Sequence, residues 1–177
     1  MDFNPVKPRS DHDLLKRLKS GGQHAWAEYT RDYGARVYNY LLANLPNAED
    51  IEDVLNETMG AAVKAIPKFD GNASLTTLTF ALARRKVADF WRKRQPTSEL
   101  LETVTTDSIE TERLEFLEAL AKLPKPSQEA LLLRYHTGLS VDEIAKVMER
   151  SYKGVESLLS RAREQLREAL EDVVSQK

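Results

Sequence analysis

Apolar residues recur every three or four positions along most of this chain, which is the period of α-helices that bury one side. In the first half this pattern predicts four helices. Asp11 and Ser74 are expected to cap the first and fourth, while Gly21-Gly22 and Pro46 end the first and second. The third helix, a loop with turn chemistry and the fourth helix are predicted over residues 48–66, 67–73 and 74–94.

The second half predicts shorter helices. One is expected to carry Leu114, Leu117 and Leu120, and another to cover residues 127–135, after the break Pro124-Lys125-Pro126. Residues 95–111 lack a sustained period and read as a flexible acidic linker. The predicted fold is therefore all-α: two small helical domains, with proposed ranges 10–94 and 112–177, joined by this linker.

A helix-turn-helix is predicted at the end of the chain. Ser140 followed three residues later by Glu143 forms a capping box, which marks a helix start. Residues 149–151 form the turn, and Ser151 caps the second helix. The apolar stripe of that helix comprises Val155, Leu158, Leu159, Ala162 and Leu166. Its polar, partly basic outer face suits the major groove of DNA, although an ordinary helical hairpin with a solvated face shows the same pattern.

Composition narrows the class of protein. With 177 residues, 41% hydrophobic and 31% charged, the chain has the makeup of a globular protein. It has no apolar run of membrane-spanning length and no signal-peptide core at its start, so we expect no membrane insertion and a cytoplasmic location. Without cysteines, and with three scattered histidines, we expect no metal site. No nucleophile–base pairing stands out, so we expect no catalytic residues, no cofactor and no enzyme.

Charge is segregated although the net charge is only −2. Residues 46–58 hold five acids and no base, residues 84–94 six bases and one acid, and residues 99–118 seven acids and one base. The basic residues surround Phe90 and Trp91. Basic side chains bind phosphates and aromatic rings stack on unpaired nucleobases, so the combination suits nucleic acid. The first acidic block suits either a helix dipole or a basic partner, and spacing does not separate the two. The second acidic block is expected to compete with phosphates for the bases.

Several short sequence motifs occur in an order and at a spacing that together indicate a family resemblance. They are Ala48-Glu49-Asp50-Ile51 through Asn56-Glu57-Thr58; Phe69-Asp70-Gly71 with Ser74-Leu75; Ala83-Arg84 with Asp89; Leu123-Pro124; Leu139-Ser140 with Glu143-Ile144-Ala145; and Val155 through Ser157 to Ser160-Arg161-Ala162-Arg163. Together they resemble the extracytoplasmic-function (ECF) group of bacterial RNA polymerase sigma factors. The resemblance covers most of residues 11–94 and 112–170.

The resemblance implies a promoter-specific initiation factor with three working surfaces. The first would bind the clamp region of the largest subunit of core RNA polymerase, through Glu49, Asp50, Asp53, Asn56 and Glu57. The second would recognise and open the −10 element, contacting duplex and single-stranded DNA through Phe69, Asp70, Asn72, Arg84, Arg85, Lys86, Trp91, Arg92, Lys93 and Arg94. The third would read the −35 element through Ser151, Tyr152, Lys153, Glu156, Ser157, Ser160, Arg161 and Arg163. An anti-sigma factor is a further partner that the resemblance suggests.

The chain departs from the usual pattern of the group at six positions. Leu78 stands where Trp is frequent, Arg85 where Asn is common, Glu149 where the turn has glycine, Gly154 where Thr is usual, and Glu156 and Leu158 where bases are frequent. We expect Leu158 to widen the apolar contact and Glu156 to face the groove. Two other function classes remain: a sigma-like protein that sequesters a regulator without initiating transcription, and a two-domain helix-turn-helix repressor.

Overall fold

The computed structural model describes residues 11–94 and 110–175. Within these ranges the chain forms helices and no strand, as predicted. The helices are α1 (Asp11–Lys19), α2 (Gln23–Leu42), α3 (Ala48–Ala65), α4 (Leu75–Lys93), α5 (Glu110–Lys122), α6 (Lys125–Leu131), α7 (Val141–Val147) and α8 (Tyr152–Ser175). They belong to two compact units. Residues 95–109 of the predicted linker lie outside the described residues, and α5 begins two residues before that linker was expected to end.

The first unit is built from α1 to α4. Helices α2, α3 and α4 pack against one another, and α1 packs against α2 and α4. The apolar period of α3 predicts a buried stripe of Ile51, Val54, Leu55, Thr58, Met59, Ala62 and Ile66. Five of these residues are buried, whereas Leu55 and Met59 are only half-buried. The largest fully buried side chains in this unit are aromatic: Tyr29, Tyr33, Tyr40 and Phe80.

Asp11 does not act as the predicted helix cap. It is the first residue of α1, and its carboxylate accepts a hydrogen bond from Tyr33 Oη at 2.7 Å and a longer one from Thr76 Oγ1 at 3.4 Å. It therefore ties α1 to α2 and α4. Burial raises the pKa of the Tyr33 phenol, which stays a neutral donor. The cap prediction was wrong because partners 22 and 65 residues away leave no local signature.

Polar side chains cap the N-terminal ends of α3 and α4. Asn47 caps α3, accepting from the Asp50 amide at 2.9 Å, and Ser74 caps α4 as predicted, accepting from the Thr77 amide at 3.0 Å. Helix α3 ends at Ala65, one residue early, and Ile66–Lys68 form a 3₁₀ turn. The loop is therefore shorter than predicted and starts at Phe69.

Two glycines of this unit are expected to respond oppositely to alanine. Gly71 has φ +85°, a left-handed conformation, whereas Gly60 lies inside α3 with open space around it. Gly71→Ala should destabilise the first unit by about 1–2 kcal/mol, because a Cβ disfavours that conformation. Gly60→Ala should stabilise it by about 0.5–1 kcal/mol, because alanine loses less backbone entropy in a helix. Urea unfolding of the two variants checks this, and equal shifts of the same sign would contradict it.

The second unit has α8 at its centre, packed against α5 and α6. Helix α6 begins at Lys125 rather than Ser127, since Pro126 is tolerated in a first turn whose amides need no helical acceptor. It widens into a π-turn over Leu132–His136. Helix α8 extends to Ser175, past the stretch that the resemblance covers, because buried Ala169 and Val173 continue its apolar stripe.

Candidate nucleic-acid interface

An acidic face lies on α3, opposite its buried stripe. Glu49, Asp53, Asn56 and Glu57 are exposed and recur at helical spacing, and Asp50 beside them is half-buried. Asn47 Nδ2 donates to Asp50 Oδ2 at 2.8 Å, which holds that carboxylate at the start of the helix. The five predicted docking residues therefore form one continuous surface on the helix.

The predicted DNA contacts of α4 form three rows along the helix, each pairing positions seven residues apart. Arg84 aligns with Trp91, Arg85 with Arg92, and Lys86 with Lys93. Arg85, Arg92 and Lys93 are exposed, while Arg84, Lys86 and Arg94 are half-buried. Arg92 also forms an ion pair with Asp89 of its own helix. The rows spread positive charge over about half of the helix circumference.

Trp91 borders this basic surface and is held in place. Its indole Nε1 donates to the Asn44 carbonyl at 3.1 Å, and its ring meets Phe90 edge to face. The side chain remains 46% exposed. The indole nitrogen is therefore engaged within the protein while part of the ring faces solvent, which leaves a surface for base stacking.

The acidic and basic sets meet directly. Arg94 Nη1 lies 2.6 Å from Asp50 Oδ2, and Lys86 Nζ lies 2.9 Å from Glu57 Oε2. The Lys86 ammonium lowers the pKa of the Glu57 carboxyl, and so favours its charged form. Each ion pair joins one predicted polymerase contact on α3 to one predicted DNA contact, Lys86 on α4 or Arg94 just after it. The two sets, predicted as separate surfaces, therefore share these ion pairs.

The loop before α4 exposes two of its three predicted contact residues. Asp70 and Asn72 are exposed, and Asp70 Oδ1 accepts from the Asn72 amide at 3.0 Å, forming a local turn around Gly71. Phe69 is half-buried and packs against the core, as does Leu78. The loop therefore presents polar groups beside the basic helix, with its aromatic ring turned to packing.

The helix-turn-helix is formed as predicted. The Glu143 amide donates to Ser140 Oγ at 3.2 Å and the Ser140 amide donates to Glu143 Oε2 at 2.9 Å, which completes the capping box. Ser151 caps α8 by accepting from the Gly154 amide at 3.1 Å. Glu149 has φ +55°, the left-handed conformation that explains why glycine is frequent there.

The residue at position 154 is also explained by the cap. A Cβ built on Gly154 lies 3.0 Å from Ser151 Oγ, so a larger side chain would crowd the capping hydroxyl. Glycine costs helix stability at this position, but it leaves the cap undisturbed. The departure from Thr is thus a local adjustment to the turn.

All predicted −35 contact residues are exposed, at the cap of α8 or on the part of the helix surface outside its buried stripe. They are Ser151, Tyr152, Lys153, Glu156, Ser157, Ser160, Arg161 and Arg163. Leu158 is 6% exposed and belongs to the core, as predicted. Beyond Arg163 the next base, Arg167, forms ion pairs with Glu164 and Glu171. The basic face therefore ends near the middle of the helix.

Some structural residues were missed by sequence analysis. Thr76, Thr77 and Thr79 of α4 are buried, and Thr79 Oγ1 shares a hydrogen bond of 2.8 Å with Tyr29 Oη. Polar threonines inside an apolar stripe carry no sequence signal of their partners. The Asn47 cap was detectable, since it stands three residues before Asp50 at the start of an acidic helix turn.

Across residues 11–94 and 110–175, no helix is long and apolar enough to cross a membrane. The same ranges contain no group of three or more His, Asp or Glu side chains arranged to hold a metal ion.

Comparison with known proteins places both units in one family. Sigma-70 region 2 matches residues 30–97, and sigma-70 region 4 matches residues 113–166. The ECF RNA polymerase sigma factor SigW of Bacillus subtilis is 26% identical over 90% of this chain and 96% of its own length. The RNA polymerase sigma factor CnrH of Cupriavidus metallidurans is 28% identical over 95% of this chain and 97% of its own.

Two solved structures share the fold. CnrH in complex with the cytosolic domain of CnrY matches with a TM-score of 0.75 at 26% identity, covering 92% of this chain and 97% of CnrH. The sigma factor RpoE of Bartonella quintana, in complex with the anti-sigma factor NepR, matches with a TM-score of 0.61 at 19% identity, covering 90% of this chain and 93% of RpoE.

Proposed function

Because this chain belongs to the ECF group of RNA polymerase sigma factors, we propose that each of its charged surfaces performs one step of promoter-specific initiation. The observation that carries the proposal is the distribution of exposed bases. One basic surface lies in the unit that matches sigma-70 region 2, and another in the unit that matches region 4. A factor that contacts two promoter elements needs one such surface in each unit.

The acidic face of α3 is the proposed docking surface for core RNA polymerase. Glu49, Asp53, Asn56 and Glu57 are exposed there, with Asp50 at the edge. Acidic side chains at this density attract a basic surface, for which the clamp region of the largest subunit is the proposed counterpart. The helix backbone underneath is held by its buried stripe, so the carboxylates are presented on a rigid element.

The loop at residues 69–73 and the basic surface of α4 are proposed to recognise and open the −10 element. Arg85, Arg92 and Lys93 are exposed where they can neutralise a separated strand, and the half-exposed Trp91 ring can stack on an unpaired base. Asp70 and Asn72 offer hydrogen-bonding groups to a base edge. Phe69 contributes to this surface through packing, by supporting the loop from the core.

The exposed face of α8 is proposed to lie in the major groove of the −35 element. The first residues of a recognition helix normally reach base edges, and here they include Tyr152, Lys153 and Glu156. Arg161 and Arg163 follow where the helix would leave the groove, and there they would contact backbone phosphates. The ion pairs of Arg167 mark the end of the proposed contact.

The proposal has two further parts: the chain has no catalytic role, and it binds a regulatory partner. We propose that the chain carries no catalytic residues and acts in the cytoplasm, where RNA polymerase works. CnrH is found in complex with the cytosolic domain of CnrY, and an anti-sigma factor that covers part of this chain is the corresponding proposal. Such a partner would compete with polymerase or DNA for the surfaces described above.

Run-off transcription tests the proposed function. Core RNA polymerase and the full chain, incubated with genomic fragments, should yield discrete transcripts that neither component produces alone. Fragments that respond should share two sequence elements at a fixed spacing. Tight binding of this chain to duplex DNA without polymerase would support a repressor instead, and co-purification with a regulator but no transcript would support sequestration.

A further inference from the structure

We propose that two α3 carboxylates hold two basic side chains, Lys86 of α4 and Arg94 just after it, away from DNA in the free protein. Docking of polymerase on α3 would release these two side chains. The proposal rests on the assignment of α3 to polymerase and α4 to DNA made above. Its structural basis is two ion pairs, Asp50 with Arg94 and Glu57 with Lys86. In each of them a carboxylate of the proposed docking surface binds a basic side chain of the proposed DNA surface.

The two ion pairs form an ordered ladder between antiparallel helices. Asp50, near the start of α3, pairs with Arg94 just after the end of α4, and Glu57 pairs with Lys86 further back. The carboxylates are seven residues apart and the bases eight, which is about two helical turns on each side. The spacing lets both pairs form at once without bending either helix.

The pairs are partly shielded from solvent. Side-chain exposure is 22% for Asp50 and 38% for Arg94, against 50% for Glu57 and 28% for Lys86. The Arg94 guanidinium also lies over the Phe90 ring, 5.2 Å from its centroid. Partly buried charge pairs are screened less by salt than fully exposed ones, so added salt weakens the hold on these two basic side chains less than it would at a fully exposed pair.

A Lys or Arg side chain held by a carboxylate contributes little to DNA binding. It carries no net charge with its partner, and therefore releases fewer counterions when a phosphate approaches. Basic groups of polymerase that approach Asp50 and Glu57 weaken the hold of these carboxylates on Arg94 and Lys86. Docking and DNA binding are then positively coupled, and the coupling is reciprocal: each partner raises the affinity for the other by the same factor.

The test compares two charge-matched variants of the full chain. Asp50→Asn with Glu57→Gln neutralises the ladder and keeps the side-chain shapes. Glu52→Gln with Glu168→Gln neutralises two exposed acids that lie outside the proposed polymerase and DNA contacts, one on α3 and one on α8. Glu52 points about 160° away from Asp50 around the helix axis, and so lies on the edge remote from the ladder.

The readout is the affinity for a fluorescein-labelled single-stranded oligonucleotide, followed by anisotropy across a salt series. The ladder variant should bind about tenfold more tightly than wild type at low salt. Its plot of log affinity against log salt should be steeper by about 1.4, because each of two released bases adds about 0.7 on a single strand. The control should shift the affinity slightly and leave the slope unchanged. Equal slopes for the ladder variant and the control would overturn the masking.

Saturating core polymerase separates the release from the docking assignment. Wild type and ladder variant should then have the same salt slope, since docking has already freed the bases; a difference that persists in the complex would overturn the release. Weaker polymerase binding by the ladder variant supports α3 as the docking face. Unchanged polymerase binding would refute that assignment and the release with it, while a steeper slope in the free protein would uphold the masking. If the double variant does not fold, as judged by circular dichroism, Glu57→Gln alone should steepen the slope by about 0.7.

Discussion

Reversing Glu49 and Asp53 together to lysine is expected to weaken binding of core RNA polymerase about a hundredfold. Both side chains are exposed on α3, one helical turn apart, on the face opposite the buried Ile51–Val54 stripe. The reversal replaces two attractions to a basic surface by two repulsions, an effect of about 3 kcal/mol when the contact is desolvated. Each 1.4 kcal/mol corresponds to about a tenfold change in affinity.

These two positions are better probes of docking than Asp50. Reversal of Asp50 would also break its ion pair with Arg94, which mixes docking with the packing of α3 on α4. The matched control, Glu49→Asp with Asp53→Glu, keeps both charges and should bind polymerase within about twofold of wild type. Affinity is measured by titrating labelled chain with core enzyme. Wild-type affinity of the reversed variant would move the docking surface away from α3.

Replacing Glu156 by lysine is expected to relax reading of one base pair of the −35 element by about 1–3 kcal/mol. Glu156 is exposed on α8, about 100° around the helix axis from the buried Val155, where a carboxylate can accept from a cytosine amino group. A carboxylate there also repels nearby phosphates. The lysine variant should therefore bind duplex DNA with a salt slope steeper by about 0.9, equivalent to one phosphate contact.

The measurement uses polymerase with this chain on a set of single-base variants of a responsive promoter. Glu168→Lys is the matched control, since the same charge change falls 12 residues further along α8, beyond the last predicted contact residue Arg163. The control should alter neither base preference nor salt slope. If Glu156→Lys behaves like the control, Glu156 does not face the groove and the proposed orientation of α8 is wrong.

Local patterns predicted most of this fold correctly. Helices α2, α3, α4 and α7 follow from apolar periodicity, and the Ser74 cap and the Ser140–Glu143 capping box follow from side chains within three residues of the amides they bind. The burial of Leu158 and the exposure of Glu156 follow from the same period on α8. The roles of the contact residues in binding polymerase and DNA remain predictions.

Errors arose where partners are distant or where the pattern fades. Asp11 looked like a local cap, but its partners are Tyr33 and Thr76 on other helices. The start of α6 was placed too late, because proline reads as a break although it fits a first turn. The resemblance to the ECF group ends at residue 170 whereas α8 continues to Ser175, since Ala169 and Val173 are weak apolar signals at the edge of a charged segment.

The sequence by itself determined the class: an all-helical chain with a helix-turn-helix, segregated charge and the ordered motifs of an ECF sigma factor. Helical periodicity and capping are set by residues three or four positions apart, so they are legible along the chain. Only the tertiary structure decided that the acidic helix α3 forms ion pairs with the basic side chains of α4 and its end. The Asp50–Arg94 and Glu57–Lys86 pairs span 44 and 29 residues, and they exist because packing sets α3 against α4 in one antiparallel register.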